Sequence, residues 1–159
     1  MKIDRAIEAL IAGLEVGRGS DELVVELSLS PEEERRVRLE LTCVHILAGH
    51  FAIAEVFHEN VDSLEALLAA YHRYWLIYSD AVSFNYGEAV YQRLARYREA
   101  LLPAREGAGV QASRVFAELC DLTTPNLTAL GANAFTTRFG YATSLLASWD
   151  IQVEEPDPL

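Results

Sequence analysis

Three histidines and one carboxylate crowd a single stretch of this chain: His45, His50, Glu55 and His58. Imidazole and carboxylate are the donors that hold zinc and iron, so their spacing decides whether they can act together. Two ligands on one helical face must stand three or four residues apart. His45 and His50 are five apart and point about 140° away from each other. Only Glu55-x-x-His58 meets the condition. A carboxylate-bridged di-iron bundle needs two such pairs and a further Glu from each of two other helices, and the second pair is absent. The expectation is therefore no metal and no cofactor. The alternative is a metal or small-molecule site built from His50, Glu55 and His58, with His72 arriving from a later segment.

Arg38 and His45 lie seven apart on one helical face with Thr42 between them, and in these two residues the pattern resembles the arginine and histidine of HEPN ribonucleases. The acidic charge of the chain opposes RNA binding, and Arg38 is read as a solvated residue of the second helical turn. No Gly-x-Ser-x-Gly elbow, Cys-His arrangement or phosphate-binding glycine loop is present, so nothing in the sequence supports an enzyme. Cys43 and Cys120 have no partner at metal-ligand spacing and read as reduced, buried thiols, which fits a cytoplasmic protein.

The aromatic residues Tyr71, Tyr74, Trp75, Tyr78, Phe84, Tyr86, Tyr91 and Tyr97 concentrate between residues 71 and 97. Tyr71, Trp75 and Tyr78 follow an apolar stripe, whereas Tyr74, Phe84 and Tyr86 fall off it. Arg93, Arg96 and Arg98 follow closely, while the first 34 residues are acidic. Aromatic and arginine side chains dominate protein contact sites. The leading reading is accordingly a non-enzymatic interaction module, an adaptor, assembly chaperone or small regulatory partner, contacting its partner or a second copy through Tyr74, Phe84, Tyr86, Arg93 and Arg96. A homodimer is expected.

The elements that position these residues follow from composition and periodicity. A chain of 159 residues, 51% hydrophobic, with 9 Gly and 5 Pro, has enough apolar surface for one core. Its net charge of -11 disfavours nucleic acid and anionic membranes as partners. The start of the chain lacks a secretory pattern. The most apolar stretch, Leu41 to Phe57, is about 17 residues and interrupted by His45, His50 and Glu55, short of the roughly 20 that a membrane span needs. It reads as a core helix.

The sequence predicts an all-α bundle of five to six helices around that long apolar helix, a single domain over residues 1–151 and a flexible acidic tail over 152–159. Ile3, Ile7, Leu10, Ile11 and Leu14 make an amphipathic helix over 3–16. Residues 22–29 alternate at period two, leaving helix, turn or a short extended segment open. Ser30-Pro31-Glu32-Glu33 combines an N-cap, a proline at the first helical position and carboxylates at the positive end of the dipole, so the long helix starts at Pro31. It is expected to run to about Glu59, with Gly49 as a possible kink. A capping box at Asp62-x-x-Glu65 opens a third helix to about Ser83. A fourth runs from a turn at Asn85 to Glu88 as far as Pro103, with Tyr91 on its core side, a fifth covers Val110 to Leu122, and a last one follows Thr124-Pro125.

Overall fold

The structure is a computed structural model that describes residues 2–16, 24, 26–82, 86–101, 107–122 and 126–149, excepting the side chains of 13–16, 78–82, 86 and 87. The described residues form six helices and no strand: α1 (Ile3–Val16), α2 (Pro31–Val56), α3 (Val61–Val82), α4 (Tyr86–Leu101), α5 (Ala108–Cys120) and α6 (Leu127–Ala147). The predicted tail, Phe84 and the Thr124-Pro125 cap lie outside the described residues.

α2 begins where its cap demands. The Glu33 backbone N–H donates to Ser30 Oγ at 3.3 Å, and the Ser30 N–H donates to Glu33 Oε2 at 2.8 Å, a complete capping box. These bonds to Ser30 hold the Glu33 carboxyl below its ordinary range. The helix ends at Val56, three residues before the predicted Glu59, because Phe57 leaves helical geometry at φ -108°, ψ 15°. The next helix is capped by Asn60, whose Oδ1 accepts from the Ser63 N–H at 3.1 Å, and not by Asp62. Asp62 falls inside the first turn, where its charge still favours the dipole.

Where it is described, the ambiguous segment before α2 is helical at Val24 and Glu26 and ends in a turn at Leu27 and Ser28. Leu27 N–H donates to Val24 O at 3.2 Å, and Ser28 follows at φ 53°. A left-handed residue there interrupts any continuous strand through this stretch.

α2 packs against α3, α4, α5 and α6. The remaining contacts run α1 to α3, α3 to α4, α4 to α5, α5 to α6 and α6 back to α1, so five helices close a ring around α2. This explains why α2 is apolar nearly all round: its buried residues include Val37, Leu41, Cys43, Val44, Ile46, Leu47, Ala52 and Ile53, which no single face can hold. By length and composition, Pro31–Val56 is long and apolar enough to cross a membrane, more so than its 17-residue apolar core suggested. In this structure 56% of that apolar window is buried against the other helices.

Two glycines work as seats. A Cβ at Gly49 would meet the Tyr71 hydroxyl and Cζ closer than any real Cβ contact, and a Cβ at Gly131 would meet Phe116 at 2.8 Å. Neither breaks its helix. Gly49 instead lets α3 approach α2, where the buried Tyr71 hydroxyl donates to Ile46 O at 3.1 Å.

Candidate functional site

The Gly49–Tyr71 seat fixes the register of α3 on α2. The next residue on each helix then meets its counterpart: His50 Nδ1 lies 3.1 Å from His72 Nε2. The two rings are 7° from parallel with centroids 5.2 Å apart, too far for face-to-face stacking and consistent with a near-coplanar N–H···N bond. One nitrogen must donate and the other accept. In either tautomeric arrangement, the neutral pair therefore keeps one further N–H and one further lone pair.

This pair sits in the wall of a cavity of about 500 Å³ between α2, α3 and α4. Each helix contributes at helical spacing: Ile46, His50 and Ala54 from α2, His72, Trp75 and Leu76 from α3, and Val90, Tyr91, Leu94, Ala95, Arg98 and Leu101 from α4. Trp75 is 7% exposed and Val90 3%, so the floor is formed by buried, mainly apolar side chains. Tyr91, 63% exposed, and Leu76, 47% exposed, stand at the mouth. Tyr91 is thus a rim residue and not the core residue that its spacing predicted.

Burial disfavours the charged imidazolium and lowers the His50 pKa to about 4, with smaller contributions from His72 and Arg98. His72 is lowered by burial and then by Arg98. Both rings are neutral at physiological pH, and the positive charge of Arg98 reaches both.

The predicted site residues separate. Of the alternative set, His50 and His72 come together. Glu55 and His58 are exposed near the end of α2, where His58 Nδ1–H donates to the Glu55 carbonyl at 2.7 Å and serves a helix terminus that would otherwise lack a donor. Among the described residues, no group of three or more His, Cys, Asp or Glu side chains could hold a metal ion. Of the interaction set, Tyr74 is half-buried and packs on the core, Arg96 is exposed, and the Tyr86 side chain lies outside what is described. Arg93 turns inward. Its Nε is 3.1 Å from Oε1 of the fully buried Glu40, whose Oε2 accepts from the buried Tyr97 hydroxyl at 3.0 Å. Arg38 pairs with Glu34 at 2.8 Å in its own helix.

The Glu40 cluster was invisible as such in the sequence, although Arg93 and Tyr97, four apart, share a helical face. Burial pushes the Glu40 carboxyl up, and Arg93 and Tyr97 oppose that rise. Cys43 lies beside it, its thiol pushed far above the ordinary range by burial and by the Glu40 charge. The same two causes push Cys120 up to about 12. These groups are matched to one another and closed off by the ring of helices, which suits a structural role; the cavity between α2, α3 and α4 has room for a ligand. No family model, curated protein or solved structure matches the chain, and its functional reading rests on this geometry.

Proposed function

We propose that the chain is a binding protein for a small, mainly apolar molecule, which it takes into the cavity between α2, α3 and α4. The observation that carries this reading is the cavity itself. Its volume of about 500 Å³ falls in the range of ligand pockets, its walls are apolar and aromatic, and a few polar groups converge on it. A protein-contact role for α3 and α4 has a different observation in its favour, the exposed Leu76, Ile77 and Tyr91. Leu76 and Tyr91 belong to the cavity mouth, so a bound molecule would cover apolar surface that the other reading assigns to a partner.

The test is titration with the neutral fluorophore N-phenyl-1-naphthylamine, followed by its own emission and by quenching of tryptophan. One saturable site is expected. Ala54→Phe, which projects a ring into the cavity wall, should weaken binding at least about tenfold while the far-UV circular dichroism stays unchanged. Non-saturable binding, or an Ala54→Phe protein that folds and binds equally well, would overturn the proposal.

A further inference from the structure

We infer that the molecule held in this cavity is an apolar monocarboxylate, with its body against Phe51, Trp75 and Leu94 and its carboxylate at the rim on Arg98. The inference rests on the cavity reading and adds the chemistry of the head group.

The first argument is the charge of the lining. The chain carries 24 acidic residues against 13 basic ones, yet among the described residues no Asp or Glu lines the cavity and the one charged residue that does is Arg98. An anion entering there leaves a repulsive surface for a locally attractive site. The second argument is the state of that arginine. Arg36, Arg38, Arg73 and Arg93 each have a carboxylate within 4.0 Å, the first two within their own helix. Arg98, like Arg5, Arg35, Arg96 and Arg114, has none among the described residues; of these five it is the one that lines the cavity, and it is exposed, so its guanidinium is available at the mouth.

The third argument is the histidine pair. Being neutral, it brings no second charge, and it retains one N–H that can donate to an acceptor on the ligand. One guanidinium and one neutral N–H suit a singly charged, planar head group, because the arginine fork matches a carboxylate bidentately. A dianion such as a phosphate monoester would bring one charge more than the site can neutralise. A cation would meet Arg98 with no compensating carboxylate. The body of the ligand follows from the apolar remainder of the lining, and a chain or ring system of about ten carbons is of a size such pockets bury.

The experiment displaces N-phenyl-1-naphthylamine from the full chain at pH 7.5 with decanoate, decanol and decylammonium, each below its aggregation concentration, using the wild type, Arg98→Gln and Arg98→Lys. Decanoate should bind at least about tenfold tighter than decanol, the worth of a charge-assisted hydrogen bond, and decylammonium weakest of the three. Arg98→Gln should remove the preference for decanoate and leave decanol within about twofold, while Arg98→Lys keeps part of it. If the naphthylamine binds but decanoate gains nothing over decanol, or keeps its advantage in Arg98→Gln, the head-group assignment falls and the cavity reading stands. If the naphthylamine does not bind at a saturable site, both fall.

Discussion

Replacing Gly49 with alanine tests the packing that creates the site, because two well-measured effects oppose each other at that position. In the interior of a helix, Gly→Ala ordinarily stabilises by about 0.8–1 kcal/mol through backbone entropy and propensity. Here the new methyl would occupy the seat of Tyr71, a side chain that is 0% exposed, donates to Ile46 O at 3.1 Å and packs edge-on to Trp75 at 6.2 Å between centroids. Forcing extra volume into such a contact costs about 1–3 kcal/mol. Displacing the hydroxyl from Ile46 loses a further ~1 kcal/mol. After subtracting the propensity gain, the net destabilisation is about 1–3 kcal/mol, a fall in Tm of roughly 2–12 °C for a chain of this size.

Urea unfolding followed by tryptophan fluorescence and far-UV circular dichroism measures it, with the slope m expected to stay constant. Gly140→Ala is the control, since a Cβ there meets nothing within 4 Å, and it should stabilise by about 0.5–1 kcal/mol. Tyr71→Phe in the Gly49→Ala background should recover part of the loss, giving a coupling energy between residues in contact. A Gly49→Ala protein as stable as Gly140→Ala would refute the reasoning, and with it the register that brings His72 to His50.

Stability should fall as the pH is lowered from about 6.5 to 4, because in that window an unfolded histidine binds a proton that buried His50, with its pKa near 4, does not. Glu40 has a raised pKa and acts in the opposite sense there, so the measurement is the difference in urea midpoint between wild type and His50→Gln at pH 7, 6 and 5, which should narrow the gap between pH 7 and pH 5 in the variant. Arg93→Met strips the buried Glu40 of its cation; at pH 8 it should cost about 2–3 kcal/mol, discounted because the guanidinium is a third exposed, and less at pH 5, where Glu40 can protonate. A pH-independent loss would show that Glu40 keeps one protonation state between pH 5 and pH 8 in both proteins. Cys43 and Cys120, buried and held as thiols, should be inert to 5,5′-dithiobis(2-nitrobenzoate) at pH 8 in the native protein and should both react once it is unfolded in urea.

The fold was legible because its signals are local. Ser30, Pro31 and Glu33 state the start of α2 within four residues, and Ile3, Ile7, Leu10 and Ile11 mark one face of α1 without reference to anything else. Even so, local signals misplaced the cap of α3, since Asn60 and Asp62 are equally good capping residues and only the path of the chain chooses between them. Gly49 shows the same limit. Read along the helix it is a weak point, and only the partner helix reveals that its missing side chain is where Tyr71 fits. The site was harder still. His50 and His72 are 22 residues apart, and no spacing rule relates positions on different helices until the register between them is known. The sequence put His72 in the alternative set on residue type alone.

The arginines of α4 show why proximity in sequence misleads about surfaces. Arg93, Arg96 and Arg98 look like one basic patch, but an α-helix turns by about 100° per residue, which separates Arg93 from Arg98 by about 140°. Arg93, with Tyr97 one turn on, faces Glu40. Arg98, with Leu94 and Ala95 one turn before it, faces the cavity, and Arg96 faces solvent. Three residues thus enter three environments: one neutralises a buried carboxylate, one is solvated, and one brings a positive charge to an apolar chamber in an acidic protein. The first has a visible partner within the chain. The third has no carboxylate partner among the described residues, and under the proposed reading a ligand supplies it, which is why the comparison of decanoate with decanol at Arg98 bears directly on that reading.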